Sequence, residues 1–119
     1  MGRSFGLVLL AGILGITAGF AQAPAPGGPK LKVVREIDNA RVTVLRLTMP
    51  VGYKDPVTSG QNDLVVTQAS PGEVEVLIGP EKTTAKRDVG QSWFVPKGTP
   101  HAFSNAGNAP FDMLVTVLK

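Results

Sequence analysis

The stretch that decides the fold is Gly90-Gln91-Ser92-Trp93-Phe94-Val95-Pro96-Lys97-Gly98-Thr99-Pro100-His101-Ala102-Phe103-Ser104-Asn105. It holds two short segments of strand length, Ser92–Val95 and His101–Ser104, split by Pro96-Lys97-Gly98-Thr99-Pro100. Proline cannot donate to a ladder and glycine permits tight turns, so the middle piece is a bend at a sheet rim. Gly90 turns the chain into the first strand, and Asn105 suits the turn that closes the second.

The same alternation of strands and turns continues outward. Downstream, Asn105 to Pro110 is a run of turn formers, and Phe111–Leu118 is a last strand. Upstream, Leu31–Ile37 and Arg41–Met49 are rich in Val, Leu and Thr, with Asp38-Asn39 between them as a turn. Leu64–Ala69 follows. Glu73-Val74-Glu75-Val76 alternates polar and apolar with the period of a half-buried strand. Gly79 to Lys82 reads as a hairpin loop, and Thr83–Asp88 runs back from it. No amphipathic helix is evident. Many short strands at close spacing, with no internal repeat, predict one all-β sandwich or barrel.

The N-terminus reads differently. Arg3 precedes an uncharged, largely apolar run from Phe5 to Phe20, and the small residues Gly19 and Ala21 are spaced for signal peptidase. Residues 1–21 are therefore expected to be a secretory signal, 22–30 a Pro/Gly-rich spacer and 31–119 the domain. An uncleaved membrane anchor is the alternative, but a spanning helix needs roughly 20 apolar residues and this run is shorter. The expected location is periplasmic or secreted, with membrane contact only through an uncleaved leader. The chain has no cysteine, which removes disulfides and thiolate ligands together. Twelve basic residues face nine acidic ones, scattered without blocks, a pattern that speaks against nucleic-acid binding. A domain of this size builds one modest core, so self-association as a homodimer is expected.

The deciding stretch also carries a family likeness. Gly90, Pro96, Gly98, His101 and Asn105 match every fixed position of the second motif of the cupin superfamily, G-x5-P-x-G-x2-H-x3-N. The first motif, G-x5-H-x-H-x3-4-E-x6-G, is present as a frame: Gly52 opens it and Gly72 closes it. Thr58-Ser59-Gly60 stands where His-x-His belongs, and Val65 where the glutamate belongs. The chain thus resembles the small single-domain cupins of bacteria. That resemblance implies a double-stranded β-helix barrel, with His101 facing inward and most of the family's metal ligands gone.

In metal-binding relatives the histidines and the glutamate converge because alternate strand residues share a face. Three or four donors are needed, since a lone neutral imidazole cannot displace a metal's hydration shell. With only His101 left, no cofactor is expected. A divalent ion (Fe, Mn, Zn or Ni) would require a replacement donor. Asp63 is the candidate, on the reading that it shares the interior face with Val65 two residues on. The ligand-binding candidates are His101, Thr58, Asp63 and Trp93, and His101 is the candidate for any catalytic role. Trp93, Phe94, Phe103 and Phe111 are expected to fill the barrel or a subunit contact.

Three functions fit these residues. The chain is read first as a non-catalytic, metal-poor cupin, a small-molecule binder or structural relic. The second reading is a metal-dependent enzyme of oxygenase or isomerase type rebuilt around His101. The third is an interaction module whose apolar contact is formed by Leu64 and Val66, on the face opposite Val65.

Overall fold

Strand-forming residues separated by Pro, Gly and Asn turns fold as eight strands and no helix in the computed structural model, which describes residues 29–119. The expected signal at 1–21, and the spacer up to residue 28, lie outside the described residues. The strands are β1 (Lys32–Asp38), β2 (Val42–Met49), β3 (Asp63–Gln68), β4 (Gly72–Ile78), β5 (Glu81–Arg87), β6 (Ser92–Val95), β7 (His101–Asn105) and β8 (Phe111–Leu118). All eight coincide with the segments expected from sequence. The main difference is in the β4–β5 hairpin, where pairing runs on through Leu77↔Lys82 and Ile78↔Glu81. Gly79, at φ 60°, makes the turn tight enough that only Gly79-Pro80 stay outside the ladder.

The strands form two antiparallel sheets, ordered β1-β2-β8-β3-β6 and β5-β4-β7. Strand β8 returns from the end of the chain to lie between β2 and β3, pairing Met49 with Phe111 and Gln68 with Met113. Inward residues of both sheets make one core, with Leu47, Met49, Val66, Phe111 and Met113 from the larger sheet meeting Val74, Val76 and Phe103 from the smaller. Burial of such side chains contributes on the order of 1.5–3 kcal/mol each.

The phase of β3 corrects the sequence reading. Val66 is 2 % exposed and Leu64 packs against the core, so Leu64, Val66 and Gln68 face inward. Asp63, Val65 and Thr67 therefore face outward. Leu64 and Val66 form no external contact surface, and Val65 holds no interior position. The inward residue nearest the glutamate place is Leu64.

Two glycines are held by geometry. Gly72 lies under Phe111, and a Cβ there would fall 2.6 Å from the ring's Cγ. Gly98 adopts φ 78°, which side chains with a Cβ rarely take, and turns the chain at the rim before His101.

Strand β7 is covered on both edges. One edge pairs with β4. Along the other runs the segment from Tyr53 to Thr58, where the Tyr53 carbonyl accepts the Asn105 N–H and Thr58 exchanges two backbone bonds with His101. Pro56 interrupts that ladder. The gap is filled by a side chain, because Asp55 Oδ2 accepts the Phe103 N–H at 3.0 Å. Asn105 then closes the β7 turn, its Nδ2 donating to the Met49 and Ala109 carbonyls and its Oδ1 accepting the Gly107 N–H.

Candidate functional site

The alternation along β7 puts His101 and Phe103 on one face, opposite Ile78 and Val76 of β4. His101 thus faces into the barrel end, as its motif position implied, and is half-buried there. Its Nδ1 lies 3.0 Å from the Thr99 carbonyl. A carbonyl can only accept, so Nδ1 carries the hydrogen and Nε2 presents a lone pair. Burial lowers the His101 pKa below its ordinary value, with the Thr99 hydrogen bond opposing the shift. The ring at neutral pH is a neutral acceptor.

Thr58 meets His101 through the backbone, its N–H donating to the His101 carbonyl at 3.1 Å and its carbonyl accepting the His101 N–H at 2.8 Å. Asp63 does not come to the site. Its Oδ1 accepts the Lys97 N–H at 2.8 Å on the outer side of β3, where it fixes the loop between β6 and β7. The expectation of an inward Asp63 is therefore overturned by the strand phase. Among the described residues, no three histidine, aspartate or glutamate side chains cluster closely enough to hold a metal ion. The donors present at His101 do not fit the ion that the fold family's motif implies. Beside the mouth, the loops carrying Gly60 and Gly98 are joined by the Gly98 N–H to the Gly60 carbonyl. They form a shallow depression of about 510 Å³ lined by Ser59, Gly60, Gln61, Lys97 and Gly98.

Trp93 faces inward from β6 and packs edge-on against Phe103, ring centroids 5.6 Å apart, while Phe103 in turn meets the His101 ring at 6.5 Å. Arg87 lies over the tryptophan, its guanidinium carbon 5.7 Å from the ring centroid. Of the aromatics expected to fill the barrel, Phe103 and Phe111 do so. Phe94 is 55 % exposed on the outer face of β6, because it is one residue out of phase with Trp93. Arg46 also faces outward, bonded to Glu36 at 2.8 Å and Asp112 at 3.5 Å.

Sequence reasoning missed three polar groups. Asp55 accepts from the Tyr53 hydroxyl as well as from Phe103, and its own N–H donates to Ser104 Oγ. Burial pushes its pKa up to about 7, and the two hydrogen bonds to the carboxylate only partly offset that. Burial and the neighbouring Asp55 charge push the Tyr53 hydroxyl up as well. In sequence, Asp55-Pro56 looks like any turn. Gln68 is 0 % exposed, and both its amide atoms lack a partner, as does the buried Arg87 Nε. The correct phase of β3 would have flagged Gln68 as a polar residue at a core position. Arg87 ends a strand with almost no apolar periodicity, so it carried no signal.

Two antiparallel sheets closed over one core, with an aromatic-bracketed histidine at one end, define a small all-β double-stranded β-helix. Solved structures give that architecture its name. A cupin domain of Bordetella pertussis matches with a TM-score of 0.66 and 24% identity, over 77% of this chain and 96% of that one. An RmlC-like cupin from Methanocaldococcus jannaschii, described as a double-stranded β-helix, matches with a TM-score of 0.64 and 12% identity, over 86% and 92%. A Thermus thermophilus protein matches with a TM-score of 0.66 and 26% identity, over 75% and 83%. No family model matches the chain, and no curated protein matches it. The chain has the cupin fold.

Proposed function

We propose that the chain is an exported, non-catalytic cupin-fold protein that binds a small molecule at the barrel mouth without a tightly held metal. The observation that carries this reading is the isolation of His101. One neutral imidazole, tied through Nδ1 to a backbone carbonyl, offers a single acceptor where coordination needs at least three. Such a nitrogen suits a hydrogen-bond donor on an uncharged or weakly polar guest, and the adjoining depression carries only one charged residue, Lys97. The enzyme alternative needed Asp63, or some other carboxylate within coordination reach of His101, as a second donor or as an orienting group for acid–base work. Asp63 accepts the Lys97 N–H on the outer face, which favours the metal-poor reading.

The test is elemental analysis of protein purified without chelator. The expected result is far less than one metal ion per chain, unchanged by His101→Ala. Stoichiometric iron, manganese, zinc or nickel that disappears with His101→Ala would reverse the proposal.

A further inference from the structure

At the end of the barrel opposite His101, the interior is polar where a core should be apolar. Gln68 is the last residue of β3, fully buried, with a donor and an acceptor that nothing in the described residues satisfies. The register continues from Val66↔Trp93 to the bond between the Gln68 N–H and the Gln91 carbonyl, so Gln68 sits diagonally next to Trp93 on the interior face. Over that ring lies Arg87, with its buried Nε also unpartnered. No carboxylate of the described residues lies within ion-pair distance of Arg87. A buried guanidinium Nε–H without a partner is costly unless something occupies the fork.

Arg87 also reaches the surface. It lines a depression of about 290 Å³ whose other walls include Pro71, Gly72, Gly107 and Ala109, all small or apolar. Lys86 adds a second cation at the rim, while Glu73 and Asp88 place negative charge there.

We propose that this end of the barrel is a second binding site, for a small monocarboxylate with a short apolar body. The carboxylate takes the free edge of the Arg87 guanidinium, whose planar fork matches two carboxylate oxygens. The apolar body rests against the small-residue walls, and Gln68, fully buried and outside the depression, makes no contact with the guest. The rim carboxylates Glu73 and Asp88 repel a multiply charged anion, so inorganic phosphate is discriminated against. The site is independent of His101 and of the mouth.

Trp93 is the only tryptophan in the chain and lies under the Arg87 guanidinium, so its emission responds to a guest bound there. Titration of the full chain with butyrate is expected to give a saturable change in Trp93 emission, with no such change for butylamine or inorganic phosphate. Arg87→Gln is expected to weaken butyrate by roughly tenfold or more, the size of a lost charge-assisted hydrogen bond. Gln68→Leu, which removes the orphaned amide at similar volume outside the depression, is expected to leave butyrate affinity unchanged while preserving the fold. No saturable response in the native chain overturns the site, as does a response that Arg87→Gln leaves unchanged when that variant melts like the native protein. Equal affinity for phosphate overturns the monocarboxylate assignment.

Discussion

Asp55 shows how one side chain can do a backbone's work. Pro56 has no N–H to donate to β7, so the ladder parts there, and the Asp55 carboxylate takes the Phe103 N–H in place of a backbone carbonyl. Its pKa, raised from 3.8 to about 7, sets a pH dependence of stability. Between those values the unfolded chain has lost a proton that the folded chain retains, so this contribution is largest below pH 3.8 and is lost as the pH rises to about 7. His101 acts in the opposite sense. Its lowered pKa means that the neutral ring contributes fully above pH 6.5, and that contribution fades as the pH falls toward the folded value. The native pH profile mixes the two, and a difference against Asp55→Asn isolates the first. That variant keeps an oxygen for the Phe103 N–H and carries no titrating group. Its stability relative to native, from urea unfolding, is expected to rise by about 2–4 kcal/mol between pH 3.8 and about 7. A flat difference would show that the carboxyl is not desolvated.

At the scale of elements, the strands follow from local patterns because each is bounded by residues that cannot continue a ladder. The approach of β4 to β8 is what fixes Gly72. Its missing side chain makes room for the Phe111 ring, which is 2 % exposed and anchors β8 to both sheets. Gly72→Ala has no favourable space to relax into, because the clash involves the ring and the Phe111 Cβ at 2.8 Å. A loss of about 1–3 kcal/mol in denaturant unfolding is expected, the usual cost of overpacking a core. An unchanged midpoint would mean that β4 and β8 are not held this closely. The first motif's closing glycine is thus explained by packing alone, without metal chemistry.

For the whole molecule, the larger sheet ends in β1, all of whose residues are exposed. Val33, Val34 and Ile37 are 43–49 % exposed there, and among the described residues the outer edge of β1 has no paired strand. Unpaired edges with apolar side chains favour strand-to-strand association. A homodimer, as expected from sequence, would pair through β1 and not through Leu64 and Val66, which lie inside. Light scattering is expected to show a dimer that Val34→Lys converts to monomer. A monodisperse monomer of the native chain would remove the assignment.

The strand positions, the all-β class and the inward histidine were legible in residue order, because turn chemistry and the Gly90 to Asn105 spacing act over a few neighbours. So was the scarcity of nitrogen and oxygen donors, which is a matter of which residues are there at all. The tertiary structure alone decided which face of β3 turned inward, since alternation in Asp63-Leu64-Val65-Val66 is too weak to set a phase and a shift of one residue exchanges the two faces. It also decided that β8 separates β2 from β3, and that Arg87 comes to lie over Trp93. The β8 pairings join residues far apart in the chain, and only the closing of two sheets on a shared core brings Arg87 of one over Trp93 of the other.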